Sequence, residues 1–203
     1  MPMVAPALAA EIATALQGPP TPQIMDMAKA FVTVVQGGIF SHALVNGSCG
    51  PGGPLQGGGA EGGIILLPMA ATLPADLAAA LGGPPTPQIM GMATGFSTHL
   101  QTGLVSFKTG GIMGTCTNTP IAPGPVMGSG QNGQIMGLAG PALASLWKGF
   151  LGGDSLQINN MAKAVAEYFA KEAMGTYAMG TVTGIAPPGG GPVVAAGVGG
   201  MFS

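Results

Sequence analysis

Gly18-Pro19-Pro20-Thr21-Pro22-Gln23-Ile24-Met25 recurs without change as Gly83-Pro84-Pro85-Thr86-Pro87-Gln88-Ile89-Met90, 65 residues further on. Eight consecutive identities with matching flanks mark an internal duplication. Each motif follows a short Ala/Leu stretch, Leu8 to Leu16 and Leu73 to Leu81, that reads as a helix. A third, more divergent copy begins with a similar stretch, Pro141 to Leu151. It continues Gly153-Asp154-Ser155-Leu156-Gln157-Ile158 where the proline motif stood. Met27-Ala28, Met92-Ala93 and Met161-Ala162 then fall in line across all three.

The punctuation gives each copy a structure. Thr21-Pro22 and Thr86-Pro87 read as a helix N-cap followed by proline in the first turn, where its missing N–H costs nothing. Asp154 or Ser155 is the corresponding cap of the third copy. Long helices are expected over Pro22–Leu44, Pro87–Phe107 and Ser155–Tyr177, kinked or ended by Gly37-Gly38 and Gly103. In the third, Met161, Ala164, Val165, Tyr168 and Phe169 form an apolar stripe at helical spacing, expected to face a partner, while Lys163, Glu167 and Lys171 lie on the solvated face.

Gly47-Ser48-Cys49, Gly114-Thr115-Cys116 and Gly180-Thr181-Val182 align next, each followed by a Gly/Pro-rich stretch. In the third copy the alternation from Gly180 to Ile185, the turn residues Pro187 to Gly191 and the return from Pro192 read as a hairpin. The fold class is therefore α+β: three tandem pseudo-repeats, residues 1–69, 70–139 and 140–203. Each is a short helix, a Pro-capped longer helix and a Gly/Pro-rich β-hairpin, and they gather in a pseudo-threefold cluster or an array. A period near 65 residues exceeds those of solenoids, and one such unit has a thin core by itself. The Gly/Pro tails are expected to order mainly on assembly, because their backbone groups need strand partners.

Composition narrows the function. Among 203 residues there are 38 Gly and 19 Pro, yet 47% are apolar and only 6% are charged. Disordered chains show the opposite balance; this one has material for a core and little charge to keep an isolated surface soluble. The basic residues are Lys29, Lys108, Lys148, Lys163 and Lys171, spread singly and without an arginine. They form no stripe for phosphates, and nucleic acid is not expected as a partner. Met1 to Leu16 lacks a basic n-region and carries Glu11, so no secretory signal is read there. The best candidate membrane span, Ala28 to Val45, is interrupted by Lys29, Gln36, Gly37, Gly38 and His42 and makes a poor span, so a membrane is not expected as a partner.

No catalytic or metal-ligating constellation emerges. His42 and His99 do not coincide in the repeat, and neither HExxH nor CxxC occurs. Glu11, Asp26, Glu61, Asp76, Asp154, Glu167 and Glu172 are scattered. Glu167 and Glu172 are the closest, and their spacing does not share a helix face. Ser48 and Thr115 lack a nucleophile elbow. Gly128 to Gly133 lacks the Lys-Ser/Thr of a phosphate loop. Cys49, Cys116 and Val182, at matched positions, are read as small buried packing sites. Two cysteines make no disulfide framework. No cofactor and no metal are expected, and the chain is not expected to be an enzyme.

Repeat architecture, low charge and Gly/Pro/Ala/Met richness together resemble bacteriophage or phage-tail-like virion structural proteins. The resemblance is in the style of the whole chain. It implies a minor virion component of baseplate, tail, neck or capsid decoration, assembled in the host cytoplasm. Its partners would be other structural proteins of the same assembly, in multiple copies that exploit a threefold arrangement. The residues expected at the repeat and partner interfaces are Pro22, Ile24, Met25 and Met27, then Pro87, Ile89, Met90 and Met92, and in the third copy Ile158, Met161, Tyr168 and Phe169. A membrane-associated Gly-rich helical protein and a tail-associated hydrolase are the alternative readings.

Overall fold

A computed structural model describes residues 3–203, with the side chains of all but 42–46, 59–64, 194 and 198. His42 and Glu61 thus lie outside the described side chains. The fold is α+β. In chain order the helices and strands are α1 (Ala5–Ala15), α2 (Pro22–Gln36), β1 (Ile39–Cys49), β2 (Pro54–Leu66), α3 (Leu73–Ala80), α4 (Pro87–Thr102), β3 (Leu104–Cys116), β4 (Gly124–Met136), α5 (Gly140–Leu151), α6 (Leu156–Glu172), β5 (Met174–Ala186) and β6 (Gly191–Phe202). A 3-10 turn at Pro68–Ala71 precedes α3.

The chain forms two compact units, each assembled from three separate segments. One is helical: Met1–Gly38, Leu67–Thr102 and Gly137–Ala173. Each of its helices packs on its neighbours in the chain, and α6 returns to α1, so the helices close a ring. The long helices start as the sequence predicts. The Thr21 hydroxyl accepts from Ile24 N–H at 3.2 Å, Thr86 from Ile89 N–H at 3.3 Å and Ser155 from Ile158 N–H at 3.2 Å. Of the two candidate caps in the third copy, Ser155 is the one used.

The long helices end earlier than the hydrophobic run suggests. The expected spans to Leu44, Phe107 and Tyr177 stop at Gln36, Thr102 and Glu172, and the remaining residues open β1, β3 and β5. Gly37 caps α2, and Ala173 turns extended after α6. Beyond those points Ile39-Phe40 and Leu104-Val105 alternate exposed and buried, the pattern of a strand. The best membrane-span candidate is divided in the same way. Among the described residues no helix is long and apolar enough to cross a membrane.

The core of the ring is aromatic. Phe31 and Phe96 have ring centroids 4.4 Å apart, Phe96 meets Phe169 at 5.5 Å, and Phe31 stacks on Trp147 at 6.3 Å. Trp147 Nε1–H donates to the Met92 carbonyl at 2.9 Å, which satisfies its one polar atom inside the core. The Tyr168 hydroxyl secures the chain's beginning: it accepts from Val4 N–H at 2.8 Å and donates to Val4 C=O at 2.9 Å. The apolar stripe of α6 therefore faces its own unit. Val165, Tyr168 and Phe169 are buried there, which corrects the expectation that they face a partner.

The other unit, Ile39–Leu66, Gly103–Met136 and Met174–Ser203, is a barrel. Its strands are antiparallel in the order β1-β2-β3-β4-β5-β6, and β6 returns to pair with β1, with Phe40 opposite Gly200 and Cys49 opposite Gly191. Closure gives the Gly/Pro-rich tails their strand partners within the chain. The expectation that they order mainly on assembly, for want of strand partners, is corrected: each strand pairs with another strand of the same chain. Phe40, Phe107, Tyr177 and Phe202 fill the interior, with Phe40 5.0 Å from Phe202 and 4.9 Å from Tyr177. Glycine makes the room. A Cβ on Gly197 would lie 2.5 Å from Tyr177, and one on Gly175 2.8 Å from Phe40.

The burial pattern of β5 also departs from the alignment read from the sequence for the third stretch. Along β3 the buried positions include Val105, Phe107, Ile112 and Cys116; along β5 they are Gly175, Tyr177, Val182 and Ala186 at the same steps. Val182 thus corresponds to Ile112, and the counterpart of Cys116 is Ala186. The triplet that ends β5 is Gly184-Ile185-Ala186, without the Thr that drew the sequence alignment to Gly180-Thr181-Val182. The full strand length, from helix end to hairpin turn, selects Ala186.

Candidate functional site

The repeated motif converges on one apolar socket within the helical ring. Its volume is about 400 Å³ and its wall is apolar throughout, at the small end of the range for ligand or side-chain pockets. Leu16, Leu81 and Leu151 come from the C-terminal ends of the short helices α1, α3 and α5. The first two turns of α2 and α4 contribute Gln23, Ile24 and Met27, and Gln88, Ile89 and Met92; Met161 comes from α6. The sequence dictates this placement locally. The Pro-Pro turn reverses the chain, Thr21 or Thr86 starts the next helix, and the residue two or three places beyond the cap points back toward the end of the preceding helix.

Five of the interface candidates line this socket: Ile24, Met27, Ile89, Met92 and Met161. Met27 and Met92 are buried, and Ile24 and Ile89 are half-buried. Pro22, Pro87 and Met90 are exposed at the same helix starts, and Met25 and Ile158 are half-buried. Tyr168 and Phe169 belong to the core described above. The three leucines were missed as site residues. The signal for them was present: each ends an Ala/Leu helix immediately before a Gly-containing turn.

Two further clefts, of about 410 and 400 Å³, run between helices. Glu11, Asn160, Lys163 and Glu167 border the first, and Asp26, Lys29 and Asp76 the second. The corresponding place beside α4 is filled, because α5 lies on glycines: Phe150 abuts Gly91, and Trp147 and Leu146 abut Gly95. Burial raises the Glu11 carboxyl above its usual range, with Lys171 acting in the opposite direction. The hydrogen bond from Lys171 holds Glu172 low, and the pair is 2.9 Å apart. Lys163 and Glu167 pair at 3.9 Å on the exposed face. The structure thus places Glu167 beside Glu11 in one cleft, a neighbour that linear spacing did not show.

Among the described residues, no group of three or more His, Cys, Asp and Glu side chains could hold a metal ion. His99 is buried on α4, and its Nε2 has no hydrogen-bond partner. Burial lowers its pKa below the ordinary histidine value, so the ring is neutral near pH 7. What the socket offers chemically is shape and apolar contact, and Gln23 and Gln88 border it through their apolar atoms. Comparison with family models, with curated proteins and with solved structures returns no match.

Proposed function

We propose that this chain is a structural, assembly-forming protein built from three tandem pseudo-repeats, and that it engages its neighbours through the socket at the ends of its helices. The observation that carries the reading is the make-up of that wall: Leu16, Leu81 and Leu151, with Met27, Met92 and Met161, are the same residue types supplied by three stretches of chain. Methionine and leucine side chains form an adaptable apolar wall, and three-part symmetry suits a partner that is itself threefold or axial. The surrounding surface supports the same conclusion, with Met90 and Leu156 exposed at the helix starts and Leu81 at the end of α3, and few charges to oppose contact. In this reading the chain is a minor component of a virion or tail-like particle, multiply represented beside other structural proteins.

The test is mass by light scattering behind gel filtration, in plain buffer and in mild detergent, for the wild type and for Ile89→Glu. The wild type is expected as a discrete oligomer or filament that Ile89→Glu reduces to monomers while leaving the circular dichroism spectrum unchanged. A wild-type chain that stays a monodisperse monomer up to its solubility limit would overturn the proposal.

A further inference from the structure

The three hairpin turns of the barrel are tied to one another. Asn118, buried just beyond β3, accepts from Gly52 N–H at 3.3 Å and donates through its side-chain amide to Pro187 C=O at 2.6 Å. Gly189 N–H donates to Thr119 C=O at 3.0 Å. The turns that follow β1, β3 and β5 are thereby linked. The middle one is also closed on itself. Thr119 N–H donates to Ala122 C=O at 2.9 Å, and Ala122 N–H donates to the Thr119 hydroxyl at 3.0 Å.

That closed turn presents Ile121. It is 91% exposed, the highest value among the described large apolar side chains, so nothing in its own chain covers it. The two other turns, Gly50 to Gly53 and Pro187 to Gly190, offer only glycine and proline. A lone exposed apolar residue is ordinary on a protein surface. This one is held in place by two hydrogen bonds across its turn and by Pro120 and Pro123 on either side, so little freedom is lost when a partner covers it.

The chain also carries a matching concavity. The socket at the helix ends has a volume of about 400 Å³ and an apolar wall, with room for a branched side chain and a proline ring beside it. No residue from Thr117 to Pro123 is charged, and neither is any residue of the socket wall. Bringing the two together therefore strips water from no charge.

We propose that Ile121 of one copy seats in the socket of a second copy, so that chains join head to tail. This rests on the assembly reading above and names the socket's partner as the chain itself. The two surfaces are different, so the contact is heterologous. A copy that gives its Ile121 still has an open socket, and addition continues into a filament or closes a ring. The junction is small beside a standard interface of ~1,600 Å², so assembly grows with protein concentration.

The experiment is sedimentation velocity on the full chain over a concentration series. Ile121→Asp removes the projecting side chain, and Ile89→Glu blocks the socket. Each variant alone is expected to stay at monomer mass where the wild type assembles, with an unchanged circular dichroism spectrum. Mixed in equal amounts, the two are expected to give a species of twice the monomer mass and nothing larger, because only one intact pair of surfaces remains. Ile121→Ser should behave as Ile121→Asp does, without adding a charge, and Ile121→Leu should assemble like the wild type. If the Ile121→Asp and Ile121→Ser chains assemble like the wild type while Ile89→Glu does not, this proposal fails and the assembly reading stands with another occupant in the socket. A mixture that stays monomeric also overturns the head-to-tail contact. A wild type that is monomeric at every concentration ends both.

Discussion

Val34 on α2 and His99 on α4 occupy corresponding places in the aligned motifs, and both are buried. The histidine brings a polar ring to a site where its counterpart is aliphatic, and its Nε2 is left without a partner. Burial lowers its folded pKa, so protons bind first to the unfolded chain as pH falls. Stability is then full above the unfolded histidine value of about 6.5, and declines below it at no more than about 1.4 kcal/mol per pH unit for this one proton, until the folded pKa is passed. Denaturant unfolding across this range should show the decline in the wild type and a flatter profile in His99→Val. Glycine supplies a second residue-scale test. Gly197 stands where a Cβ would meet Tyr177 at 2.5 Å. Gly197→Ala should cost about 1–3 kcal/mol in urea unfolding, the usual range for overpacking. A neutral result would mean that the ring shifts freely within the barrel.

At the scale of elements, the helix starts carry most of what was legible. The Thr-Pro pairs predicted caps, and both caps are made. Thr86→Ala should lower stability by about 1 kcal/mol, and Thr86→Ser should restore most of it, both measured by chemical denaturation. The helix ends were less legible. The apolar residues after Gln36, Thr102 and Glu172 suit a buried helix and a buried strand equally well, and short apolar runs do not separate the two. Trp147 sits on α5 against Phe31 and Gly95. Its removal in Trp147→Ala should cost about 3–5 kcal/mol, read as a lower unfolding midpoint.

For the whole molecule the decisive fact is that neither unit is a continuous stretch of chain. The helical ring needs α1 to meet α6, and the barrel needs β1 to meet β6. A fragment ending at residue 139 lacks α5, α6, β5 and β6 altogether. It should therefore lose the cooperative thermal transition of the full chain, because an unclosed sheet leaves two strand edges unpaired; calorimetry of the two proteins makes the comparison. A fragment with a sharp transition of its own would show that closure is not required.

The chain's own residues determined the duplication, the helix caps, the α+β class and the low charge. Each is written in local pattern: an eight-residue identity, a hydroxyl before a proline, a period of 3.6 or of 2. They also marked Ile24, Met27, Ile89, Met92 and Met161, because a duplicated motif points to a shared role. Only the tertiary structure decided that these side chains share one socket with Leu16, Leu81 and Leu151. The same holds for the six hairpin strands, which pair among themselves, and for Ala186 taking at the end of β5 the buried place that Cys116 takes at the end of β3. Those facts depend on which segments meet after the chain has closed on itself. Strand register and ring closure are set by contacts between residues far apart in sequence, and no local period encodes them.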